Sequence, residues 1–375
     1  MKLVVETMEP KVSILLPILN GIRFLPERIE SIQRQSLNDW ELIVVDGRST
    51  DGSWEMLRLL ATTDARIRVE QRPPQGIYDA LNRCLSQARG KYIYIAMADD
   101  AMTPDCLERM AQALDRTPKA GIAHCNLCFI DENSQPINDT WEELDKVKYY
   151  GRWIHREHVR IAPHDGVLYC VLGTMYASLT QLLIRRSVFA RVGPFKTTFG
   201  SEGDFEWGMR AAWLESTVHV PYTLATWRIH SSQVTKDSFV FSAEGRMRRC
   251  EMIKSARRDI AQIQGAGRLL RARLLSYAYR LEQIGFSLAK APSRLRRRWI
   301  LFCALCTHPW VCTMYLIEHF TGRRLEREAA IRKLFGALHL NPAELLVDIP
   351  TASPQAHNNK NADRIQSTSN LLINV

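Results

Sequence analysis

Two adjacent carboxylates, Asp99 and Asp100, end the apolar run Tyr92-Ile93-Tyr94-Ile95-Ala96-Met97-Ala98 and carry the sharpest chemical signal in the chain. The run is apolar and β-branched enough for a buried strand, and Thr103-Pro104-Asp105 opens a helix behind it. Acids at the carboxyl end of a central α/β strand stand where such sheets bind ligands. Side by side they repel, and a hard divalent cation is the common remedy. A solvated turn with a helix cap is the competing reading, and these two residues alone leave both open. Other strand ends carry further candidates. Asn20 follows Val12-Ser13-Ile14-Leu15-Leu16-Pro17, and Asp46 closes Trp40-Glu41-Leu42-Ile43-Val44-Val45. A carboxylate in that second place can accept hydrogen bonds from a base or a ribose. Asp204, after Gly203 and near the start of a helical stretch, suits either a helix cap or a general base facing a cleft.

Those residues need elements to bring them together. Strand-like runs at 12–17, 40–45, 66–69 and 91–95 alternate with helical patterns at 23–35, around 54–60 and at 77–89. The alternation predicts right-handed βαβ units and a mostly parallel, doubly wound sheet. In such a sheet Asn20, Asp46, Asp99 and Asp100 converge on one edge, which favours a small-ligand site over independent caps. Neither G-x-G-x-x-G nor G-x-x-x-x-G-K-[ST] follows the first strand, which excludes a dinucleotide fingerprint and a P-loop. Further on, 122–130 reads as a strand, 180–189 as strand then helix, and 218–220 and 224–229 as short strands. The segment 138–163, rich in Trp, Tyr, His and charge, reads as a binding loop or a lid.

With 375 residues, 46% apolar and 24% charged, the chain suits one large domain plus an appendage. Nine scattered cysteines predict a reducing compartment, and Cys125-x-x-Cys128 and Cys303-x-x-Cys306 read as core thiols rather than a zinc site. The first eleven residues lack a basic stretch followed by an apolar one, so no secretory signal is expected. The net charge of +10 is concentrated: 244–298 holds fifteen Lys and Arg against four Asp and Glu, a surplus of eleven.

Six pieces in order resemble the inverting glycosyltransferases of family 2, whose fold is GT-A. They are Val12-Ser13-Ile14-Leu15-Leu16-Pro17-Ile18-Leu19-Asn20, Glu41-Leu42-Ile43-Val44-Val45-Asp46-Gly47-Arg48-Ser49-Thr50-Asp51-Gly52-Ser53 and the distinctive Gln75-Gly76-Ile77-Tyr78-Asp79-Ala80-Leu81-Asn82. Gly90-Lys91-Tyr92-Ile93 through Asp99-Asp100, Gly203-Asp204-Phe205-Glu206-Trp207 and Arg228-Ile229-His230 complete them. The resemblance covers 11 to about 235 and implies a Rossmann-like α/β sheet flanked by helices, with a nucleotide-diphosphate sugar donor along its edge. Pro17 and Asn20 would line the nucleotide pocket, Asp46 would accept from the base, and Arg48 and Asp79 would belong to the donor site. Asp99 and Asp100 match the metal and ribose motif, bridged to the diphosphate by a Mg or Mn divalent cation. His230 matches a position that in some members touches the metal or diphosphate, and Asp204 matches the catalytic base. Two departures stand out. Gly47 and Arg48 replace a second acid and a Gly, placing a long cation beside the nucleotide. Gly203, not Glu, precedes Asp204, and Glu202 competes for the base role from one residue further back.

Beyond 239 only the residues speak. Leu270, Leu274, Tyr277, Leu281, Ile284 and Leu288 form a helical stripe, best explained by packing on the catalytic domain. Arg294-Leu295-Arg296-Arg297-Arg298 abuts an aromatic-rich run at 299–317, which suits first an anionic membrane interface, next a buried helix and last a span. The expected organisation is a GT-A domain at 1–240, a basic helical region at 241–345 and a polar, disordered tail at 346–375. Expected partners are the donor, a saccharide or lipid-linked acceptor in cell-surface polysaccharide synthesis, and the cytoplasmic face of a membrane. No nucleic acid is expected, and a homodimer is left open. The rival reading is a silent scaffold whose basic helices hold anionic lipid or nucleic acid. A nucleotidyltransferase would want a Gly-rich basic loop after the first strand, and Ile18-Leu19-Asn20-Gly21 is not one.

Overall fold

The computed structural model describes residues 9–137, 141, 144–231, 243–263, 280, 283–288, 290–309, 311–313, 316 and 325–349. Its strands are β1 (Val12–Ile18), β2 (Trp40–Asp46), β3 (Ile67–Gln71), β4 (Tyr92–Ile95), β5 (Ala120–Ile130), β6 (His158–Arg160), β7 (Leu182–Arg185), β8 (Ser216–Arg228) and β9 (Leu346–Asp348). They form one sheet in the order β3-β2-β1-β4-β7-β5-β8-β6-β9. Every residue of β1 and β2 is buried, as strands covered on both faces require. The covering helices are α1 (Leu25–Gln33), α2 (Ser53–Thr63), α3 (Ile77–Gln87), α4 (Cys106–Arg116), α5 (Asp145–Tyr150), α6 (His164–Leu172), α7 (Arg186–Val192), α8 (Gly203–Leu214), α9 (Ala243–Ile263), α10 (Arg294–Thr307) and α11 (Leu325–Ala337).

The β3-β2-β1-β4 part is parallel throughout, and its register sets the site. Ile18 lies beside Asp46, and Asp46 beside Gln71, so three strand ends meet at one edge. The rest of the sheet is mixed: β7 runs antiparallel to both β4 and β5, while β5 and β8 are parallel. The two short strands expected at 218–229 are one strand, β8. Its register against β5 jumps from Val220 to Thr223, so Pro221 and Tyr222 bulge and the pairing resumes beyond them.

The expected boundaries at 240 and 346 are not breaks in packing. The α9 helix buries Met252, Ile253, Ala256 and Ile260 and packs on α8. Residues of β9 extend the sheet by pairing antiparallel with β6, where the polar tail was expected to begin. In the 270–288 stripe, Leu270, Leu274, Tyr277 and Leu281 lie outside the described residues, as does everything from 350. Ile284 is buried. Among the described residues, no helix is long and apolar enough to cross a membrane.

Candidate active site

A cleft of about 1380 Å³ opens where β1, β2 and β4 end and runs to α8 and α9. At the β2 end Asp46 is fully buried. Its Oδ2 accepts from the Ser49 amide at 3.0 Å and from Gln71 Nε2 at 2.9 Å. Its buried Oδ1 has no partner among the described residues, which leaves one acceptor for a ligand donor. Pro17 and Asn20 line the same end. Asn20 is structural as well: its amide donates to Ser49 Oγ at 2.8 Å, and its Oδ1 accepts from the Thr50 amide at 2.9 Å, tying the turn after β1 to the loop after β2. Arg48, expected to face the nucleotide, is exposed and does not line the cleft. It sits at φ 61, in a loop held by these bonds, and its place beside the site is taken by Arg72.

The acid pair is held by the end of β8. Ala225 bridges Met102 in antiparallel fashion, laying the segment after β4 along β8. Arg228 then donates from its amide to Asp100 Oδ1 at 2.9 Å and from Nε to the Asp99 carbonyl at 2.7 Å. The same alignment brings His230 Nε2 within 3.0 Å of Asp99 Oδ2. Asp99 is the half-exposed member of the pair; Asp100 is only 3% exposed and forms the floor. Burial first, and then the charge of Asp99, push the Asp100 carboxyl up to about 8, with Arg28 and Arg228 pulling the other way. The pair is therefore short of positive charge. Carboxylate and imidazole are ligand types for a hard or borderline divalent cation, but among the described residues no three His, Cys, Asp or Glu are placed to hold a metal ion by themselves, so a cation here would need ligand oxygens as well. That matches the way Mg²⁺ is bound through one or two carboxylates plus phosphates.

Asp204 lies in the first turn of α8 and faces the same cleft, about a hundred residues from Asp99 in sequence. The distinctive Gln75–Asn82 stretch positions it. Asn82 clamps the Phe195 backbone from both sides, donating to its carbonyl at 2.7 Å and accepting from its amide at 3.0 Å. The Tyr78 ring stacks on Phe195, and its hydroxyl donates to the Ser201 carbonyl at 3.1 Å. Burial, reinforced by the charge of Asp204, pushes that phenol well above its usual range. A Cβ at Gly203 would lie 2.7 Å from the Tyr78 ring, so position 203 has no room for the Glu of the family pattern. Asp79, in the first turn of α3, lines the cleft. Glu202 also lines it, but its carboxylate is directed to Arg248 at 3.7 Å. Burial raises its pKa while Arg248 and Arg249 oppose the rise.

The structure thus brings Pro17, Asn20, Asp46, Asp79, Asp99, Asp100, Asp204 and His230 into one cleft. Sequence reasoning missed Arg72, Trp227 and the α9 residues Arg246, Arg249, Met252 and Ile253, which complete its walls. Trp227 lies beside the matched Arg228-Ile229-His230 and could have been taken with it. The α9 residues carried no motif.

An α/β sheet with a cleft at its parallel strand ends, lined by two adjacent acids and a separate helix-borne acid, has the layout of a small-ligand site. Residues 13–192 match the family described as glycosyl transferase family 2. That stretch is just under half of the chain, and the match supports a family 2 glycosyltransferase; the protein is a glycosyltransferase. A PGL/p-HBAD biosynthesis glycosyltransferase of Mycobacterium tuberculosis is 27% identical over 206 residues, which is 54% of this chain and 69% of the relative. The putative glycosyltransferase EpsE of Bacillus subtilis is 34% identical over 125 residues, 33% of this chain and 45% of the relative. Among solved structures, S. aureus TarS 1-349 in complex with UDP-GlcNAc overlays with a TM-score of 0.57 at 14% identity, covering 88% of this chain and 91% of that one. That overlay carries the fold, a mixed sheet flanked by helices.

Proposed function

We propose that the enzyme transfers a sugar from a nucleotide-diphosphate donor to a saccharide or lipid-linked acceptor hydroxyl with inversion, assisted by a divalent cation. The observation that carries this reading is the arrival of Asp99, His230 and Asp204 in one cleft from three distant parts of the chain. Asp46 Oδ1 accepts from the base, and Pro17, Asn20, Asp79 and Arg72 surround the nucleotide. Asp99 and Asp100, with His230, would hold Mg²⁺ or Mn²⁺, which supplies charge neutralisation for the departing diphosphate. Asp204 takes the proton from the acceptor hydroxyl as that oxygen attacks from the face opposite the leaving group. General-base help of this kind contributes ~10²–10⁴-fold. Tyr78 fixes the loop that bears Asp204.

The setting is polysaccharide or glycoconjugate synthesis at the cytoplasmic face of a membrane. Support for the membrane comes from α10, where Leu295, Trp299, Phe302 and Leu305 are exposed on one face beside exposed Arg294, Arg296, Arg297 and Arg298. The reading is tested by thermal shift with UDP-, GDP- and dTDP-sugars, with and without Mn²⁺, on the native protein and on Asp204→Asn. Stabilisation should need nucleotide and metal together and should survive in Asp204→Asn, while turnover falls by ~10²–10⁴. Full turnover in that variant removes Asp204 as the base.

A further inference from the structure

We propose that the end of the cleft formed by α9 is an acceptor subsite for an anionic sugar, with Arg246 and Arg249 binding its phosphate or carboxylate. The inference rests on the reading above, in which the β1, β2 and β4 ends hold the nucleotide and Asp204 takes the acceptor proton. An acceptor hydroxyl must lie between the donor and Asp204, so the remainder of the acceptor extends towards the wall on the Asp204 side. That wall is α9. Arg246 and Arg249 stand one helical turn apart and line the cleft together, giving a wall with two guanidinium groups, while the buried Met252 and Ile253 that follow pack the helix against the body.

The face is built, not incidental. Ser255 Oγ donates to Glu206 Oε1 at 3.1 Å, and Lys196 Nζ lies 3.1 Å from Glu206 Oε1 and 2.6 Å from Asp259 Oδ2. These contacts lock α9 to α8, the helix that carries Asp204 in its first turn. A Cβ at Gly285 would lie 2.5 Å from Arg246 Nη1, so that arginine is backed by the 283–288 segment. Arg248, on the neighbouring face, is directed to Glu202 at 3.7 Å. The two ends of the cleft differ in charge balance: the nucleotide end sets Asp46, Asp79, Asp99 and Asp100 against Arg23 and Arg72, whereas the α9 end sets Arg246 and Arg249 beside Glu202 and Asp204. A planar guanidinium fork matches phosphate or carboxylate with two parallel hydrogen bonds, and a neutral sugar offers no such partner.

The test is calorimetric titration of the full chain, saturated with UDP and Mg²⁺ so that the diphosphate position is filled. The probes are methyl β-D-glucuronide, glucose 6-phosphate and neutral methyl β-D-glucoside. At least one anionic sugar should bind about tenfold or more tighter than the neutral one, and the better of the two tells carboxylate from phosphate. Arg246→Gln/Arg249→Gln should erase the difference while UDP still binds as in the native protein, and Arg249→Lys should restore part of it. Equal binding of all three sugars by the native protein overturns the inference and leaves the arginines as counter-charges for Glu202 and Asp204. Loss of UDP affinity in a folded double variant also overturns it, because the arginines would then serve the diphosphate. If UDP, GDP and dTDP all fail to bind the native protein, the nucleotide reading itself falls, and this one with it.

Discussion

The two basic helices α9 and α10 carry seven of the eleven surplus charges of 244–298, yet the structure uses them in opposite ways. Helix α9 buries Met252, Ile253, Ala256 and Ile260 against the catalytic body, and that docking turns Arg246 and Arg249 into the cleft. Helix α10 buries only Ala304 and leaves Trp299 56% and Phe302 57% exposed beside its arginines. A count of charges cannot separate the two. What aims a cation is the packing of the opposite face of its helix, and that depends on partners far away in sequence.

The clamp under α9 gives the sharpest way to break the contrast. Glu206 is fully buried and holds Arg210 Nη2 at 2.8 Å, Lys196 Nζ at 3.1 Å and Ser255 Oγ. Glu206→Ala takes from the buried Arg210 its closest carboxylate, leaving only Asp259 at 3.8 Å, and removes the acceptor of Ser255, while Lys196 keeps Asp259 at 2.6 Å. Breaking a buried pair from one side costs ~3–5 kcal/mol. Urea unfolding should show a loss of that size, and loosening of α9 should make the variant lose any preference for anionic sugars. A loss below ~1 kcal/mol, the range of surface ion pairs, would mean that α9 is not clamped and that the two helices are alike.

The ease of reading the two halves differs for the same physical reason. Parallel strands buried on both faces appear in the sequence as unbroken apolar runs, so β1, β2 and β4 and the polar residues that end them were legible. Their register then follows, and Asp46, Asp99 and Asp100 meet. Arg48 is exposed at φ 61 and stands outside the cleft lining, and nothing in the residue type announces it. The function of Tyr78 and Asn82 depends on a loop 113 positions after Asn82, and the absence of a side chain at Gly203 has a reason only once the Tyr78 ring is seen beneath it. For α9 there was no signal, because basic residues surround it and its apolar positions are few.

A second comparison concerns the sheet itself. His158 and His219 face each other across β6 and β8 with ring centroids 5.0 Å apart, and His124 Nδ1 lies 3.4 Å from His219 Nδ1. Burial, helped by Arg160, lowers His158 to about 4, and burial lowers His219 well below its usual value. The folded protein therefore binds fewer protons here than the unfolded chain, so these groups stabilise fully above pH 6.5 and progressively less as pH falls towards 4. For His158 alone the shift corresponds to roughly 3 kcal/mol. Urea midpoints should drop steeply between about pH 6.5 and 4, and His158→Gln should flatten that slope. An unchanged slope in the variant would place the acid sensitivity elsewhere.

The smallest effect on the enzyme, and the most direct check on the contrast, belongs to α10. Trp299 and Phe302 stack with centroids 5.8 Å apart on the exposed face, and Leu295 on the same face is 77% exposed. If this face meets an anionic membrane, its arginines contribute ~1 kcal/mol each near the surface, and the aromatics settle at the interface. Co-sedimentation with phosphatidylglycerol vesicles should fall in Trp299→Ala/Phe302→Ala and fall further, with loss of its salt dependence, when Arg294, Arg296, Arg297 and Arg298 are changed to Gln. Nucleotide affinity and stability should hardly move, because none of these side chains lines the cleft. Undiminished vesicle binding would take the membrane away from α10. A drop in nucleotide affinity would show instead that both basic helices serve the same cleft, and the division between them would disappear.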